Sequence, residues 1–582
     1  MIIPYSFRRK KFVLATIALL LILIFLINHS PVSIETISAK DPHISGFNFF
    51  AKLEQGSSDW SIKFHEINWF TDVFFFLSHY VPFLRKEGND VIESVIKLKY
   101  FQKCLAENYD TELQRMNDIQ EHLFPYLHFD AFGSSDSKFW PTYTRWNGAV
   151  YENSLPRFSP VNNTFLDAPE VKYNYKRFFW ANWLENYVQP GSKGIVVSAG
   201  DNQCSDTVRL IRVLRYLKNT LPIEIVHKGD LSQVYQEMLV KAARDDDSDT
   251  YPSQEMWFSD ISHMIASNYA AKFSGYSNKW LAVLFSSFEN TILVDADTVP
   301  FVGLEHYYEW EQFKNFGAVF FKDRGLKSDP LNKWEVARLK AIADKLLSLD
   351  LKNALSSNDL RHQLSLRVKD TIALNTIESI FMHGYKHHME SGLVVINKNK
   401  NLMGLLTSLS LHFSSVREYF HGDKEWFWIA QFLRNESFTF HPKEASNIGR
   451  LGNVASEDSS DFYQICSVQL SHSDIDGSIL WVNGGMKTCK KNSWNFDYDR
   501  SKRLASMYSS SEELREYYET PVHLEGAIIP DLSLTDWVNS GECAAYNYCT
   551  LYKEGQFGEL LRFNDSTKEA YNEIVRIWNL PI

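Results

Sequence analysis

Short apolar runs alternate with amphipathic segments of helix length in the middle of the chain. Gly194–Ser198 and Leu221–Val226 are runs of strand length, and the segment between them, about 205–219, carries apolar residues at helical spacing. A second helical pattern over Tyr276–Phe288 leads into the apolar run Thr291–Val294. Because strands that alternate with helices form βαβ units, the pattern predicts an α/β fold with a mostly parallel sheet flanked by helices.

The same pattern divides the rest of the chain into regions. Helical spacing over Asn89–Leu127 is followed by a stretch rich in Gly, Pro, Ser and Asn over 130–170, which predicts loops. We therefore expect a helical and loop-rich region over 89–190 and one α/β domain over 191–582. Further elements predicted within that domain are strands at Gly317–Phe321 and Gly392–Ile396 and a helical region at 400–435.

The N-terminus carries a candidate membrane anchor. Phe12–Ile27 is an uninterrupted run without a charged side chain, and Arg8-Arg9-Lys10-Lys11 precedes it directly. The first basic residue after the run is Lys40. By the positive-inside rule, this asymmetry places the N-terminus in the cytosol and the rest of the chain in a lumen. The predicted segments are a cytosolic tail over 1–11, a transmembrane signal anchor over 12–28 and a luminal stem over 29–88.

The alternative to an anchor is a cleaved signal peptide. The apolar core of a signal peptide usually spans about 7–15 residues and ends at a small-residue cleavage site. Here the run is longer, and it ends at Leu26-Ile27-Asn28-His29, where such a site is absent. The sequence therefore favours the anchor.

Two further features are typical of a luminal protein. Asn162, Asn435 and Asn564 each begin an Asn-x-Ser/Thr triplet and are candidate glycosylation sites. The chain has an even number of cysteines, which an oxidising lumen would allow to pair, although the sequence leaves the connectivity open. Cys543 and Cys549 are close enough in sequence for a hypothesis that they close a small loop.

Composition and charge narrow the class of protein. The chain has 582 residues, enough for more than one ordinary domain, and 15% of them are aromatic, which favours a large core. Its formal net charge of −11 argues against general nucleic-acid binding. No G-x-G-x-x-G motif follows the first strand, so a dinucleotide cofactor is not indicated.

The candidate chemistry lies at Asp295-Ala296-Asp297, directly after the apolar run Thr291–Val294. Other Asp-x-Asp triplets occur in the chain, so it is the context that distinguishes this one. In open α/β sheets, ligands bind beyond the carboxyl ends of the strands. Two carboxylates there suit Mn²⁺ or Mg²⁺, which take oxygen ligands and bridge phosphates. The alternative is a strand-end turn with solvated carboxylates.

Four ordered blocks resemble the fungal Golgi α-1,3-mannosyltransferases. They are Lys279–Pro300, which contains the acidic pair, then Gly317–Arg324, Glu390–Lys398 and His421–Trp428. Together with the strand at Gly194, the resemblance covers roughly residues 190–490. It implies a GT-A fold for the domain at 191–582, a GDP-mannose donor, a Mn²⁺ requirement and a single-pass type II protein of the Golgi membrane.

The resemblance also implies a reaction and its partners. The expected reaction extends mannose-terminated N- or O-linked glycans, with α-1,3 linkages formed with retention of configuration. Asp295 and Asp297 match the family's metal and nucleotide-sugar motif. In this interpretation Asp297 is the more direct metal ligand, and Asp295 reaches either the ribose or the metal. We further expect contact with the Golgi membrane through one N-terminal helix and complexes with other glycosyltransferases. No nucleic-acid partner is expected.

Several other residues are candidates for the same site, each with a simpler alternative. Gly200, Lys279 and Gly392 are candidate donor-binding residues, although Lys279 also suits a solvated helix face. Asp423 and Glu425 are candidate catalytic residues beside Trp426 and Trp428, in a mixture that suits sugar binding; acids that cap a helix start are the alternative. His472 is a candidate metal ligand, because enzymes of the GT-A fold often take a late histidine; a structural histidine is the alternative.

Two rival functions differ in class or donor. One is a luminal scaffold subunit that kept the fold and lost its chemistry, against which the intact acidic pair argues. The other is a glycosyltransferase that uses a different sugar nucleotide, because the loops that select the base are not identifiable in the sequence.

Overall fold

The structure is a computed structural model that describes residues 86–106, 113–128, 140–186, 188–244, 251–273, 275–354, 356–454 and 461–582. The predicted tail, the predicted anchor and the stem as far as residue 85 lie outside the described residues. Within those ranges, no helix combines the length and the apolar character needed to cross a membrane.

The strands are short, and many of them have only two to six residues. In chain order they are β1 (Thr142–Arg145), β2 (Val150–Tyr151), β3 (Arg157–Phe158), β4 (Phe165–Asp167), β5 (Gln189–Ser198), β6 (Ile223–His227), β7 (Met256–Asp260), β8 (Phe288–Val294), β9 (Thr298–Pro300), β10 (Ala318–Lys322), β11 (Met389–Asn397), β12 (Thr439–Phe440), β13 (Ser446–Gly449), β14 (Gly452–Asn453), β15 (Phe462–Ser467), β16 (Leu470–Ser473), β17 (Ile479–Asn483), β18 (Gly526–Ile529), β19 (Val538–Asn539), β20 (Tyr548–Lys553) and β21 (Glu559–Arg562).

The helices cover the faces of the sheets and much of the N-terminal region. In chain order they are α1 (Lys86–Ala106), α2 (Leu113–Leu123), α3 (Phe179–Asn186), α4 (Cys204–Tyr216), α5 (Gln233–Arg244), α6 (Asn278–Phe285), α7 (His306–Glu309), α8 (Glu311–Phe316), α9 (Lys333–Leu347), α10 (Ser357–Ser365), α11 (Thr371–His383), α12 (Lys398–His412), α13 (Lys424–Arg434), α14 (Trp494–Arg500), α15 (Lys502–Met507), α16 (Ser511–Glu519) and α17 (Asp565–Trp578).

A nine-stranded sheet with the order β12-β10-β11-β8-β5-β6-β7-β1-β2 forms the centre of the fold. Its four central strands, β8, β5, β6 and β7, are parallel to one another. The flanking strands β11 and β1 run antiparallel to their central neighbours. The prediction of an α/β fold is therefore confirmed, and the sheet is mixed, with a parallel centre.

Alternating side chains of the central strands build two separate cores. Ile195 and Val197 face one apolar cluster, and Val196 between them faces the other. The first cluster includes residues of α4 and α17, and the second includes residues of α6, α12 and α13. Because successive strand residues point to opposite faces, near-continuous apolar runs are what a sheet covered on both faces requires.

A second sheet of six strands has the order β21-β18-β13-β16-β17-β9, and a short turn leads into it from the main sheet. Strand β8 belongs to the main sheet and β9 to the second sheet, and only residues 295–297 separate them. The acidic pair therefore lies where the chain passes from one sheet to the other.

The region predicted as loops over 130–170 contributes strands to the main sheet. β1 pairs with β7 along its whole length, from Thr142 opposite Asp260 to Arg145 opposite Trp257, and β2 pairs with β1. The loop prediction was wrong here, because these strands are short and only partly apolar. The predicted boundary at residue 190 also falls inside β5 and does not divide the structure.

Two disulfides brace the C-terminal part of the fold. Cys466 and Cys549 join the paired strands β15 and β20, and Cys489 joins Cys543 across 54 residues of sequence. The hypothesis that Cys543 pairs with Cys549 was wrong, because each is placed beside a cysteine distant in sequence. Cys204 is a buried free thiol.

Candidate active site

The backbone of the turn that carries the acidic pair is held from two sides. The Asp295 N–H donates to the Gly392 carbonyl of β11 at 2.9 Å. The Asp297 carbonyl accepts hydrogen bonds from the N–H groups of Gly484 at 3.3 Å and Gly485 at 2.9 Å. Both glycines have positive φ angles, which glycine adopts without strain. These N–H groups are therefore engaged in holding the turn.

Lys279 of α6 neutralises the first carboxylate. Its Nζ lies 2.8 Å from Asp295 Oδ2, 3.1 Å from Asp423 Oδ2 and 3.0 Å from the Ser391 hydroxyl. Burial lowers the pKa of Lys279, but Asp295 and Asp423 outweigh it, and the net pKa is raised. Burial raises the pKa of Asp295 to about 6, and the charges of Asp297 and Asp423 act in the same direction. The buried ammonium is therefore held firmly in its charged form.

Lys490 neutralises the second carboxylate and lies in a basic cavity. Its ammonium forms an ion pair with Asp297 Oδ2. The cavity has a volume of about 180 Å³, and the charged side chains around it are mostly basic. Among the residues that line it are Arg209, Lys487, Lys490, Lys491 and Asp206. Burial and the charge of Asp297 raise the pKa of Asp206. A cavity of this charge suits an anionic ligand beside the acidic pair.

A second group of buried charges surrounds Glu390, two residues before Gly392. Lys424 donates to Glu390 Oε2 at 2.7 Å and to Asp323 Oδ2 at 3.1 Å. The other Glu390 oxygen accepts from the Asn483 amide at 2.9 Å and from the Gly392 N–H at 3.1 Å. Since each buried charge has partners of the opposite sign or polar donors, this network fixes β11 and β17 beside the acidic pair.

The two candidate glycines make close contacts with protein atoms. A Cβ on Gly392 would lie 2.8 Å from the Trp481 ring and 2.9 Å from the Thr298 hydroxyl. A Cβ on Gly200 would lie 2.9 Å from the Asp230 carbonyl. Gly392 is therefore required for packing at the turn, and the structure places no open space for a ligand at its Cα. Gly200 follows β5 at the same edge of the sheet as the acidic pair.

Asp423 precedes α13 but does not cap it through its side chain. Its carboxylate instead faces Lys279, so that the helix-cap alternative does not describe this residue. The side chain is 5% exposed. Asp423, Lys279 and Asp295 thus form a charged row that connects α13, α6 and the turn.

Glu425 has the contacts of a residue that holds the backbone in place. Its Oε1 accepts from the N–H groups of His388 at 2.8 Å and Met389 at 3.1 Å, and its Oε2 accepts from the Trp428 indole at 2.6 Å. Burial raises its pKa to about 8. Trp426 and Trp428 are fully buried. The interpretation of these two rings as a sugar-binding surface was therefore wrong, because they pack in the core.

His472 lies apart from the acidic pair. Its ring stacks on Trp481 with 4.0 Å between centroids and meets Phe321 edge-on. Burial lowers its pKa well below the usual range, and Asp323 and His441 are the charged groups that affect it most. These contacts are those of a core histidine. Within the described residues, the structure does not bring His472, Asp295 and Asp297 together as ligands of one ion.

The three candidate glycosylation residues are exposed. Asn162 lies in a turn, Asn435 ends α13 in the left-handed conformation, and Asn564 precedes α17. The Asn564 side chain accepts from the Thr567 N–H at 2.9 Å and so caps its helix. Each position is accessible, as a glycosylation site requires, and the modification stays a prediction.

Sequence reasoning missed five residues that the structure places around the pair: Lys490, Arg209, Glu390, Ser391 and Lys424. Glu390, Ser391 and Lys424 stand inside the blocks that carried the resemblance. Lys490 follows the glycine turn at 484–485 in a basic stretch, which is a signal that could have been used. Arg209 lies on α4 and becomes relevant only through the fold.

Comparisons with known proteins place this arrangement in a family. The family model described as "Mannosyltransferase putative" matches residues 192–474. Alpha-1,3-mannosyltransferase MNT2 of Saccharomyces cerevisiae is 48% identical over 496 residues, which cover 85% of this chain and 88% of the relative. "Probable alpha-1,3-mannosyltransferase MNT4" of the same yeast is 42% identical over 546 residues, covering 93% and 92%.

A solved structure is also similar. Core-mannan synthase A (CmsA/Ktr4) of Aspergillus fumigatus, in its Mn/GDP form, is 10% identical and covers 52% of this chain and 86% of that chain, with a TM-score of 0.29.

An α/β sheet with paired carboxylates at its carboxyl edge, beside a basic cavity, is typical of proteins that bind phosphorylated ligands. The relatives specify the kind of protein. The chain is a glycosyltransferase and belongs to the fungal α-1,3-mannosyltransferase family.

Proposed function

We propose that the protein transfers mannose from GDP-mannose to mannose-terminated N- or O-linked glycans and forms α-1,3 linkages with retention of configuration. The observation that carries this proposal is the 48% identity to MNT2, a named α-1,3-mannosyltransferase, over 85% of the chain. The acidic pair beside a basic cavity supports it, because an activated sugar presents a diphosphate to such a site.

The residues present fit a divalent cation at the acidic pair. Asp295 and Asp297 supply carboxylate oxygens, the ligands that Mn²⁺ and Mg²⁺ prefer. Their side chains are 23% and 17% exposed, so an ion can reach them. When bound, the ion supplies positive charge that stabilises a departing diphosphate. The two lysines hold the carboxylates in a charge-balanced state without it.

The basic residues beside the pair would bind the donor diphosphate. Lys490 contacts Asp297 in the structure, and its flexible side chain allows it to turn from the carboxylate toward a phosphate. Arg209 and Lys487 line the same cavity and add two further cations. Positive charge held in place before the reaction stabilises negative charge as it develops on the leaving group.

Retention of configuration leaves two routes for the sugar. In one route a carboxylate attacks first, and in the other the acceptor attacks from the face that the leaving group departs from. In the second route the β-phosphate takes the acceptor proton. We assign Asp423 as the carboxylate that would attack the sugar in the first route. It contacts Lys279, which Asp295 also contacts, so it lies beside the acidic pair. Its variant Asp423→Asn separates the routes, because only the first needs a nucleophile.

The proposal also includes a Golgi membrane protein of type II with a luminal catalytic domain. Two disulfides support this compartment, because disulfides persist in oxidising lumens and are rare in the cytosol. The exposed positions of Asn162, Asn435 and Asn564 are compatible with glycosylation. Removal of N-glycans from the full chain should raise its gel mobility, and Asn→Gln variants at these positions should each reduce that shift.

The decisive test measures transfer by the full chain with labelled GDP-mannose, Mn²⁺ and a mannobiose acceptor, followed by linkage analysis. Asp297→Asn should lower the rate by about 100-fold or more, because it removes one carboxylate charge at the proposed ion. Asp499→Asn is the matched control, since Asp499 is an exposed member of another Asp-x-Asp triplet. Full activity of Asp297→Asn, or turnover of a UDP-sugar in place of GDP-mannose, would contradict the proposal.

A further inference from the structure

At a place separate from the acidic pair, three loops bring one aspartate and two histidines together. Asp329 lies between β10 and α9, His387 lies two residues before β11, and His421 lies three residues before α13. His421 Nε2 is 3.0 Å from Asp329 Oδ2, and His387 Nε2 is 3.7 Å from the same oxygen. The two imidazole rings are nearly parallel, with 5.3 Å between their centroids. Each residue thus points a potential ligand atom at a common centre.

The spacing of these atoms fits ligands that share an ion. Around a tetrahedral ion with bonds of about 2.0–2.1 Å, two ligand atoms lie about 3.3 Å apart. The two distances to Asp329 bracket that value, and the three ligand atoms lie within 4.8 Å of one another. The 3.7 Å contact is too long for a hydrogen bond. Hydrogen bonding therefore accounts for the position of His421 but not for that of His387.

The donor set selects the kind of ion. Two imidazoles and one carboxylate form a set that binds Zn²⁺ with a fourth position left for water. The acidic pair Asp295 and Asp297 offers oxygen alone, which suits Mn²⁺ or Mg²⁺ instead. We propose that Asp329, His387 and His421 bind one zinc ion, separate from the ion at the acidic pair.

Lys386 competes for the same oxygen. Its Nζ lies 2.9 Å from Asp329 Oδ2 and neutralises that carboxylate. A zinc ion would take over this neutralisation, and the lysine side chain would swing away. If the three residues bind zinc, removal of the Lys386 ammonium should therefore strengthen zinc binding. If they form only a polar cluster, the same change would remove a stabilising partner of Asp329.

The zinc ion would join three loops next to the charged row of the active site. His421 stands two residues before Asp423, whose carboxylate lies 3.1 Å from Lys279 Nζ. His387 precedes β11, which carries Ser391 and Gly392. The ion is thus placed to fix the loops from which these residues extend, and it has a positioning role rather than contact with the donor.

The test measures zinc content and affinity. The full chain, carrying an affinity tag without histidine, is stripped with EDTA, reloaded with Zn²⁺ in the presence of excess Mn²⁺, dialysed and analysed by mass spectrometry for metals. We expect about one zinc per chain and a rise in melting temperature of a few degrees. His421→Gln should weaken zinc binding by about 100-fold or more. Because the His421 side chain is 67% exposed, this variant should fold normally.

Two controls separate this site from the rest of the protein. His362→Ala, at an exposed histidine of α10, and Asp297→Asn should both retain the zinc. Lys386→Gln should bind zinc at least as tightly as the original chain. Zinc content equal in the original chain and in His421→Gln, a metal-free original chain after reloading, or loss of zinc in Lys386→Gln would each overturn the proposal.

Discussion

The pairing of each aspartate with a lysine determines the charge state of the candidate site. Asp295 contacts Lys279 and Asp297 contacts Lys490, from a helix before the pair and a loop far after it. The sequence was enough to select Asp295 and Asp297, since strand context distinguished them from the other triplets. The basic stretch after residue 485 was a signal for Lys490, but its pairing with Asp297, like that of Glu390 with Asn483, depends on contacts between residues about 100 to 200 positions apart.

The raised pKa of Asp295, about 6, predicts a pH dependence of ion binding. A protonated Asp295 cannot bind the ion, so protons compete with Mn²⁺ below that pH. The Mn²⁺ concentration for half-maximal transfer should rise about tenfold per unit as the pH falls below about 6. Activity titrations with Mn²⁺ at several pH values would measure this dependence.

The control for this effect is Asp423→Asn, measured through Mn²⁺ affinity instead of rate. Removal of a neighbouring negative charge lowers the pKa of Asp295, so the acidic limb should move to lower pH. An Mn²⁺ affinity that does not change between pH 5 and pH 7, which are about one unit either side of the Asp295 pKa, would contradict this assignment.

At the level of elements, the strands with continuous apolar runs were predictable and the short polar ones were not. β5, β6, β8, β10 and β11 lie at or next to the positions expected from their hydrophobic pattern. β1 and β16 have four residues each and mixed polarity, so they depend on neighbours for their pairing. The sequence therefore indicated the centre of the main sheet and left the second sheet without a prediction.

The Cys489–Cys543 disulfide should affect donor binding as well as stability. Its loop of 54 residues corresponds to about 4 kcal/mol in the free energy of unfolding by chain entropy. Cys489 also lines the basic cavity beside Lys490. A double Cys→Ser variant at this pair should lower the melting temperature and raise KM for GDP-mannose.

The second disulfide is the matched control. Cys466 and Cys549 enclose a longer loop, of 83 residues, and join the paired strands β15 and β20. A double Cys→Ser variant there should lower stability by a comparable amount and leave KM unchanged. Equal changes in KM for both variants would show that the effect comes from general destabilisation instead of the cavity.

For the whole molecule, the family resemblance in the sequence was confirmed by relatives that cover most of the chain. The division into a loop-rich region and a domain that begins at residue 191 was less accurate. Trp140, Tyr143, Trp180 and Trp183 lie N-terminal to that boundary and are fully buried. Hydrophobic pattern alone does not reveal that a segment packs onto a sheet formed later in the chain. The anchor over 12–28 stays a prediction.

A chain that begins at residue 191 should therefore fail to fold. It would lack β1 and so expose the edge of β7. It would also leave part of the core unfilled and lose the hydrogen bond that the Tyr143 hydroxyl donates to the Phe285 carbonyl at 3.1 Å. A chain that begins at residue 86 keeps all of these contacts. Thermal unfolding should show one cooperative transition for the longer chain only. A cooperative transition in the shorter chain would contradict the expectation.

The ion pair between each aspartate and a lysine affects the order of folding and ion binding. A turn whose carboxylates already have ammonium partners has less mutual repulsion for an ion to relieve. If Mn²⁺ binds there as proposed, the polypeptide can fold before the ion is present and acquire it afterwards. Metal supply would in this way control when the enzyme works without controlling whether it is made.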